Sequence, residues 1–344
     1  MKRVCIIGHF GHGENLLNGQ TVKTKIVTKE IIKELGKKEV SCIDTHGGVK
    51  ALISAFRQAL IALKYHKNII IMPAENGLRI FAPLLVLLNL LFHRKLHYVV
   101  IGGWLPEFLK KRKKLTKALM SFDGIYVETN TMRKALEIQE FNNVYVMPNF
   151  KDLNILKESE LVYHHTEPYR LCTFSRVMKE KGIEDAVNAV KAVNEHFGRI
   201  VYTLDIYGQV DSAQTEWFNK LKSTFPLYIK YGELVPFDKS VEVLKNYFAL
   251  LFPTYYEGEG FAGTLLDAMA AGVPVIASDW RYNSEIVNEK TGYVYPVHDN
   301  HAFVTTLISV GNNPELLLSK KSDCLKEAEK YRAENVIQCL TSKL

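Results

Sequence analysis

The stretch densest in reactive side chains is PTYYEGEGFAGTLLDAMAAGVPVIASDW, residues 253–280. Pro253 ends a strand-like run, and Glu257, Glu259 and the glycines 258, 260 and 263 make a loop of small and acidic residues. Thr264 to Ala271 reads as a helix stopped by Gly272, and VPVIAS as a buried strand. Glu259 therefore precedes the helix, and Asp267 lies about one turn inside it. Two carboxylates so placed can hold sugar and ribose hydroxyls, while amides at a helix start can face a phosphate. Acids near a helix N-terminus are also stabilised by its macrodipole without any function. That plainer reading leaves the three glycines unexplained, so the functional one is taken.

A second stretch, FSRVMKEKGIEDAV at 174–187, sets Arg176 and Lys181 between a strand and a helix expected from about residue 182. Two cations there suit a diphosphate. Taken alone, the alternating Lys179, Glu180 and Lys181 read as a solvated loop. A third stretch, GHFGHGENLLNGQT at 8–21, follows the first strand. It fails the dinucleotide fingerprint, because Phe10 or Leu16 falls where glycine is required, and it fails the P-loop pattern as well. What remains is a loop ending at Asn18-Gly19, either a phosphate contact or a plain strand–helix turn. His9 and His12 in that loop read as solvated. No Asp-x-Asp metal motif occurs. Five cysteines with no Cys-x-x-Cys pair argue against a disulfide framework and a zinc site. Cys5, Cys42 and Cys172 lie in apolar runs and read as small buried hydrophobes, which points to the cytosol.

Stepping from these residues to their carriers, the 344-residue chain is 47% hydrophobic and 24% charged, ordinary globular values at a length that suits two domains. The longest apolar run, IFAPLLVLLNLLF at 80–92, is short of the ~20 residues that span a bilayer, so the count of runs argues against an integral membrane protein. MKRVCIIG opens as a strand rather than a signal peptide. The net charge of +7 is unevenly spread. Residues 1–150 carry 23 Lys and Arg against 11 Asp and Glu, and residues 151–344 carry 21 against 26. An anionic partner is thus expected for the first half only. Its densest cluster is Lys110, Lys111, Arg112, Lys113, Lys114 and Lys117, following Trp104, Leu105 and Phe108. Basic residues beside exposed aromatics would make a membrane-surface patch, the alternative being a solvated helix face. No nucleic-acid motif accompanies the charge.

Short apolar runs alternate with helical patterns: 3–8, 39–46, 68–72, 97–102, 124–129 and 143–147, then 169–175, 199–208, 227–232, 247–253 and 273–278. TVKTKIVTKEIIKELG at 21–36 is a representative helix, with Val22, Ile26, Val27, Ile31 and Leu35 near its period. The irregular stretch 147–168 interrupts the alternation. The expected class is α/β, two doubly wound Rossmann-like domains facing a central cleft: 1–150, a linker at 151–168, and 169–330.

Glu259-Gly260-Phe261 through Leu265-Leu266-Asp267-Ala268-Met269-Ala270-Ala271-Gly272-Val273-Pro274-Val275-Ile276 closely resembles the Glu-x7-Glu signature of the family-4 retaining glycosyltransferases of GT-B fold. FSRVMKEKGIEDAV is similar to that family's Gly-Arg-Leu…Lys-Gly element. VYVMPNFKD (144–152) resembles its Val-Ile-Pro-Asn-Gly-Val-Asp segment, and TGYVYPVHDN (291–300) its Asn-Gly-Tyr-Leu-Val-Pro segment. GQTVKTK with YYEGEGF resembles the members that build bacterial capsule, exopolysaccharide and O-antigen.

The resemblance implies a retaining GT-B enzyme moving a hexosyl group from a nucleoside-diphosphate sugar, a UDP-sugar rather than a GDP-sugar, to a saccharide acceptor, expected to be lipid-linked. It implies that Arg176 and Lys181 neutralise the diphosphate, Glu259 meets the donor sugar and Asp267 the ribose. Gly19, Gly260, Phe261, Ala262, Gly263 and Thr264 would line the donor. No cofactor or metal is implied, and the terminal 331–344 helix would pack back on the first domain. The expected location is cytoplasmic, peripheral on the inner face of the plasma membrane. Two departures stand out. The second acid is Asp267 rather than Glu, and the histidine many members place after the fourth strand is not evident in IGGWLPEFL (101–109). They keep open a non-catalytic sugar-nucleotide-binding or scaffold protein on the same fold. A dinucleotide oxidoreductase is disfavoured by the failed glycine fingerprints.

Overall fold

Strands buried on both faces of a parallel sheet need continuous apolar runs, and the runs named above become the strands of two parallel sheets, with the central ones covered on both faces. The computed structural model describes residues 1–11, 19–45, 48–163 and 166–344. They divide into two compact units, Met1–Asp152 with Ala333–Leu344, and Leu153–Arg332.

In the first unit, β1 (Lys2–Gly8), β2 (Val40–Asp44), β3 (His66–Met72), β4 (Lys95–Val99), β5 (Gly124–Val127) and β6 (Val144–Val146) form one parallel sheet in the order β2-β1-β3-β4-β5-β6. Ile6 on β1 lies opposite Cys42 on one side and Ile70 on the other. The connecting helices are α1 (Gly19–Leu35), α2 (Gly48–Tyr65), α3 (Glu75–Phe92), α4 (Leu105–Leu109), α5 (Lys113–Met120) and α6 (Asn130–Glu137). In the second unit, β7 (Tyr169–Phe174), β8 (Tyr202–Tyr207), β9 (Ile229–Tyr231), β10 (Ala249–Phe252), β11 (Val275–Asp279) and β12 (Gly292–Pro296) run in the order β12-β11-β10-β7-β8-β9, again parallel. Its helices are α7 (Ile183–Phe197), α8 (Thr215–Lys222), α9 (Ser240–Leu244), α10 (Gly263–Ala270), α11 (Asn283–Ile286), α12 (Asn300–Asn312), α13 (Glu315–Leu318) and α14 (Lys321–Glu329). The order reverses between β7 and β10, which is where ligands settle in such sheets.

The chain ends in two short helices, α15 (Ala333–Val336) and α16 (Gln338–Thr341), where one helix was expected. Val336, Ile337 and Leu340 join Val4, Ile6, Ile31 and Ile70 in the core of the first unit. The stretch expected as linker is bonded into the second unit. Leu156 is buried and its N–H donates to the Ala270 carbonyl at 2.9 Å, and Leu161 lies against Gly272. Gly272 ends α10 with a φ of +62°, the left-handed geometry that favours glycine.

Several expectations need correction. Cys42 is exposed, because β2 is an edge strand. The buried face of α1 carries Thr21, Lys23, Thr24, Thr28 and Glu30 beside Val27 and Ile31, so it is no simple apolar stripe. The apolar run at 80–92 belongs to a longer helix. α3 starts at Glu75, takes Pro83 into its interior and spans 18 residues at a mean hydropathy of 1.4. By length and composition that suffices to cross a membrane, and only 22% of it is buried. The basic run is not one helix. It is broken into α4 and α5, and Leu105 and Phe108 are buried rather than exposed.

Candidate functional site

β7 ends at Phe174 and the chain turns through Arg176 and Lys181 into α7. Lys181 closes a short 3-10 turn, Lys179–Lys181, and Gly182 follows with a φ of +68°. A Cβ at Gly182 would stand 2.1 Å from the Pro253 carbonyl oxygen, so only glycine lets this turn lie against the end of β10. The two loops are stitched together by the Tyr255 N–H, which donates to the Glu180 carbonyl at 2.8 Å. Neighbouring strands on either side of the order reversal thus deliver the Arg/Lys loop and the acidic loop to one place.

There, Lys181 Nζ lies 2.5 Å from Glu259 Oε2, with both side chains about nine-tenths buried. Thr254 Oγ1 donates to the same carboxylate oxygen at 2.8 Å and accepts from the Tyr256 N–H at 3.2 Å. Thr254 is itself fixed, since the Ser278 hydroxyl donates to its carbonyl at 2.6 Å. The Tyr256 ring is faced by both cations. The Lys181 Nζ is 4.9 Å and the Arg176 guanidinium carbon 5.4 Å from its centroid. The Tyr256 carbonyl accepts from Trp280 Nε1 at 2.8 Å and from the Glu259 N–H at 3.0 Å. Arg281, in the turn after β11 with a φ of +53°, pairs with Glu257. Arg176 is half-exposed and lies 3.5 Å from Asp211.

The structure therefore gathers Arg176, Lys181 and Glu259. Thr254, Tyr256 and Trp280 belong to the same cluster and were not singled out from the sequence, although Tyr256 lies inside the quoted YYEGEGF. Gly260 to Ala262 lead into α10, which begins at Gly263. Phe261 turns its ring inward, buried edge-on against Tyr331 at 5.1 Å, so its side chain is a packing group. Thr264, in the first turn of α10, has a buried hydroxyl with no partner among the described residues. Asp267 is buried in that helix.

In the first unit, Gly19 opens α1 with no atom crowding its Cβ position. His9 is partly buried and its Nδ1 lies 2.8 Å from Thr21 Oγ1, so it is not simply solvated. His12 and Asn18 lie outside the described residues. Lys23 forms a buried ion pair with Glu128, which follows β5. His97, inside β4 and bonded to the Tyr126 hydroxyl at 3.2 Å, is pushed by burial down to about 4 and stays neutral. Lys110 pairs with Glu107, and Arg112 lies over the Phe108 ring and donates to the Phe108 carbonyl at 2.6 Å. Lys111, Lys113, Lys114 and Lys117 are exposed.

Residues 168–313 match the family described as Glycosyl transferases group 1. The GtfA subunit of the UDP-N-acetylglucosamine–peptide N-acetylglucosaminyltransferase of Streptococcus agalactiae is 29% identical over 224 residues, 62% of this chain and 42% of that protein. The amylovoran biosynthesis glycosyltransferase AmsK of Erwinia amylovora is 27% identical over 156 residues, 41% of this chain and 36% of that protein. The chain thus spans less than half the length of these relatives in the matched regions. Among solved structures, Anabaena HepE in complex with UDP superposes with a TM-score of 0.74 at 11% identity, covering 99% of both chains. The fold is GT-B.

Proposed function

We propose that the chain is a sugar-nucleotide-dependent retaining glycosyltransferase. Its donor is a UDP-sugar rather than a GDP-sugar, and its acceptor a saccharide, lipid-linked, in bacterial surface polysaccharide synthesis. The observation that carries this reading is the Lys181–Glu259 pair with Arg176 around Tyr256, at the point where the strand order reverses. The names of the GtfA and AmsK relatives support it.

Transfer breaks the bond between the anomeric carbon and the diphosphate and joins that carbon to an acceptor hydroxyl oxygen, whose proton passes to the departing diphosphate. Negative charge grows on the departing diphosphate, so fixed cations aimed at it lower the barrier. Arg176 and Lys181 supply two. Glu259 orients Lys181 and offers its carboxylate to the sugar hydroxyls, and Thr254 holds that carboxylate in place. The amides opening α10, with the Thr264 hydroxyl, suit a phosphate oxygen. Asp267 is assigned to the ribose by resemblance.

The test is a thermal-shift panel of nucleoside diphosphates and their sugars, followed by assay of diphosphate release with saccharide acceptors. UDP and one UDP-sugar should raise the melting temperature, since a ligand that binds only the folded state stabilises it. That sugar should then turn over, with or without a chelator in the buffer. Binding without turnover across acceptors would favour the non-catalytic alternative. A response to GDP-sugars alone would overturn the choice of donor.

A further inference from the structure

Helix α3 carries its exposed polar residues, Glu75, Asn76 and Arg79, in its first turns. One stripe, including Leu78, Phe81, Leu85 and Leu88, is buried in the first unit, where the helix packs against α2 and α5. On the opposite side only the C-terminal half is apolar, and there Leu87, Leu90 and Leu91 are 65%, 66% and 78% exposed. The adjoining α2 adds Phe56, Ile61 and Tyr65, at 53%, 42% and 52%. Single exposed apolar residues are ordinary, but two neighbouring helices that both expose large ones ask for a covering environment.

Charge selects that environment. Residues 48–120 carry 13 Lys and Arg but only two acids, Glu75 and Glu107, so this segment holds nearly all the positive excess of the first half. Lys64 on α2 and Lys113, Lys114 and Lys117 on α5 are exposed, and Glu107 is already paired with Lys110. A second copy of the chain would bring the same positive surface against itself. An anionic bilayer leaflet offers negative headgroups above an apolar interior, matching both parts of the surface.

We propose that the outward stripe of α3, with the exposed residues of α2, seats the first unit in an anionic leaflet while the lysines of α5 bind the headgroups. The helix lies in the interface instead of crossing, because its other stripe is part of the core. The surface keeps Lys113, Lys114 and Lys117 of the basic cluster expected from the sequence, but its apolar part is α3 and α2 rather than Leu105 and Phe108, which are buried. It is independent of the donor site read in the second unit, so either can fail alone.

The experiment is co-sedimentation with phosphatidylcholine vesicles, with and without one-third phosphatidylglycerol, at low and high salt. Two variants are compared with the wild type: Leu87→Ser with Leu90→Ser and Leu91→Ser, and Lys113→Gln with Lys114→Gln and Lys117→Gln. All six positions are exposed, and circular dichroism checks that each variant keeps its fold. The wild type should bind only the anionic vesicles. The serine variant should bind at least about tenfold more weakly, and the glutamine variant should be weakened and lose much of its salt dependence. Undiminished binding by the folded serine variant would overturn the proposal. So would failure of the wild type to bind, or a concentration-dependent dimer that the serine variant abolishes and vesicles do not compete away.

Discussion

At the scale of single residues, Tyr256 accounts for how two like charges come to lie close together. Arg176 and Lys181 both lie over the Tyr256 ring, and each has its own acid, Asp211 and Glu259. If these cations stabilise a leaving diphosphate, Arg176→Ala and Lys181→Ala should each lower kcat on the order of 100-fold. Arg176 is the cleaner probe, since it is half-exposed. Removing Lys181 also leaves a buried carboxylate unpaired, so its variant should melt lower as well. Near-normal turnover by both folded variants would remove the assignment. Lys321 is a different case. It is fully buried in α14, and its Nζ has no hydrogen-bond partner among the described residues. Burial lowers its pKa from 10.5 to about 8. Below pH 8 both folded and unfolded chains carry the proton, and the burial penalty stands in full. Between pH 8 and 10.5 the unfolded chain binds more protons, so this residue's contribution to stability rises with pH. Lys321→Met should therefore be more stable than wild type at pH 7, by on the order of 3 kcal/mol at about 1.4 kcal/mol per pKa unit. The gap should narrow towards pH 10. The difference between the two proteins cancels the tyrosines that titrate in the same range. A constant gap in denaturant melts from pH 7 to 10 would contradict the argument. Glu259 could be picked out from the sequence because acids among glycines at a strand end are a local signal, whereas the Arg176 and Lys181 loop taken alone read as solvated and was assigned through the resemblance. Thr254, Tyr256 and Trp280 could not be picked out, because their partners come from β7, β10 and β11, and only sheet order brings those strands side by side.

At the scale of elements, the site depends on how closely two loops approach. Gly182 lets the turn after β7 touch the end of β10, with a left-handed φ and the Pro253 carbonyl where a side chain would begin. Gly182→Ala should cost on the order of 1–3 kcal/mol of stability and displace Lys181 from Glu259. The expected kinetic result is a lower kcat in protein that still folds, measured beside its melting curve. An alanine variant with wild-type stability and rate would show that the approach is not needed. The strands themselves were easy to read, because a strand buried on both faces is an unbroken apolar run. β12 was the exception. Gly292 and Pro296 bound a short edge strand in which Tyr293 and Val294 are only partly covered, and that pattern resembles a loop. α3 was misjudged for the opposite reason. Pro83 and Asn89 break the apolar run in the sequence, yet neither breaks the helix.

At the scale of the whole molecule, the chain's end belongs to the unit in which the chain begins. Arg3 Nη2 donates to the Leu344 carbonyl at 3.0 Å, Lys95 Nζ to the Lys343 carbonyl at 2.9 Å, and Cys339 Sγ lies 3.4 Å from the Val146 oxygen. Ile337 and Leu340 are fully buried among residues of β1, α1 and β3. Composition gives no hint of this closure. YRAENVIQCLTSKL is unremarkable as a sequence, and only the resemblance suggested where it would go. The first unit's core is thus completed by residues far from the rest of that unit in the sequence. Leu340→Ala should destabilise that unit by about 2–5 kcal/mol, the usual range for emptying a packed leucine site. Deleting 333–344 should be more severe, because it removes Val336, Ile337 and Leu340 together and uncovers the core they pack against. The donor site proposed above lies wholly within Leu153–Arg332. The truncated chain should therefore lose the cooperative melting of its first unit while UDP still raises the melting temperature of what remains. Differential scanning calorimetry of the full and truncated chains, each with and without UDP, separates the two effects. If the truncated chain melts like the full one, the tail is not part of the core. If truncation removes the UDP response from a second unit that is still folded, the donor site extends beyond Leu153–Arg332.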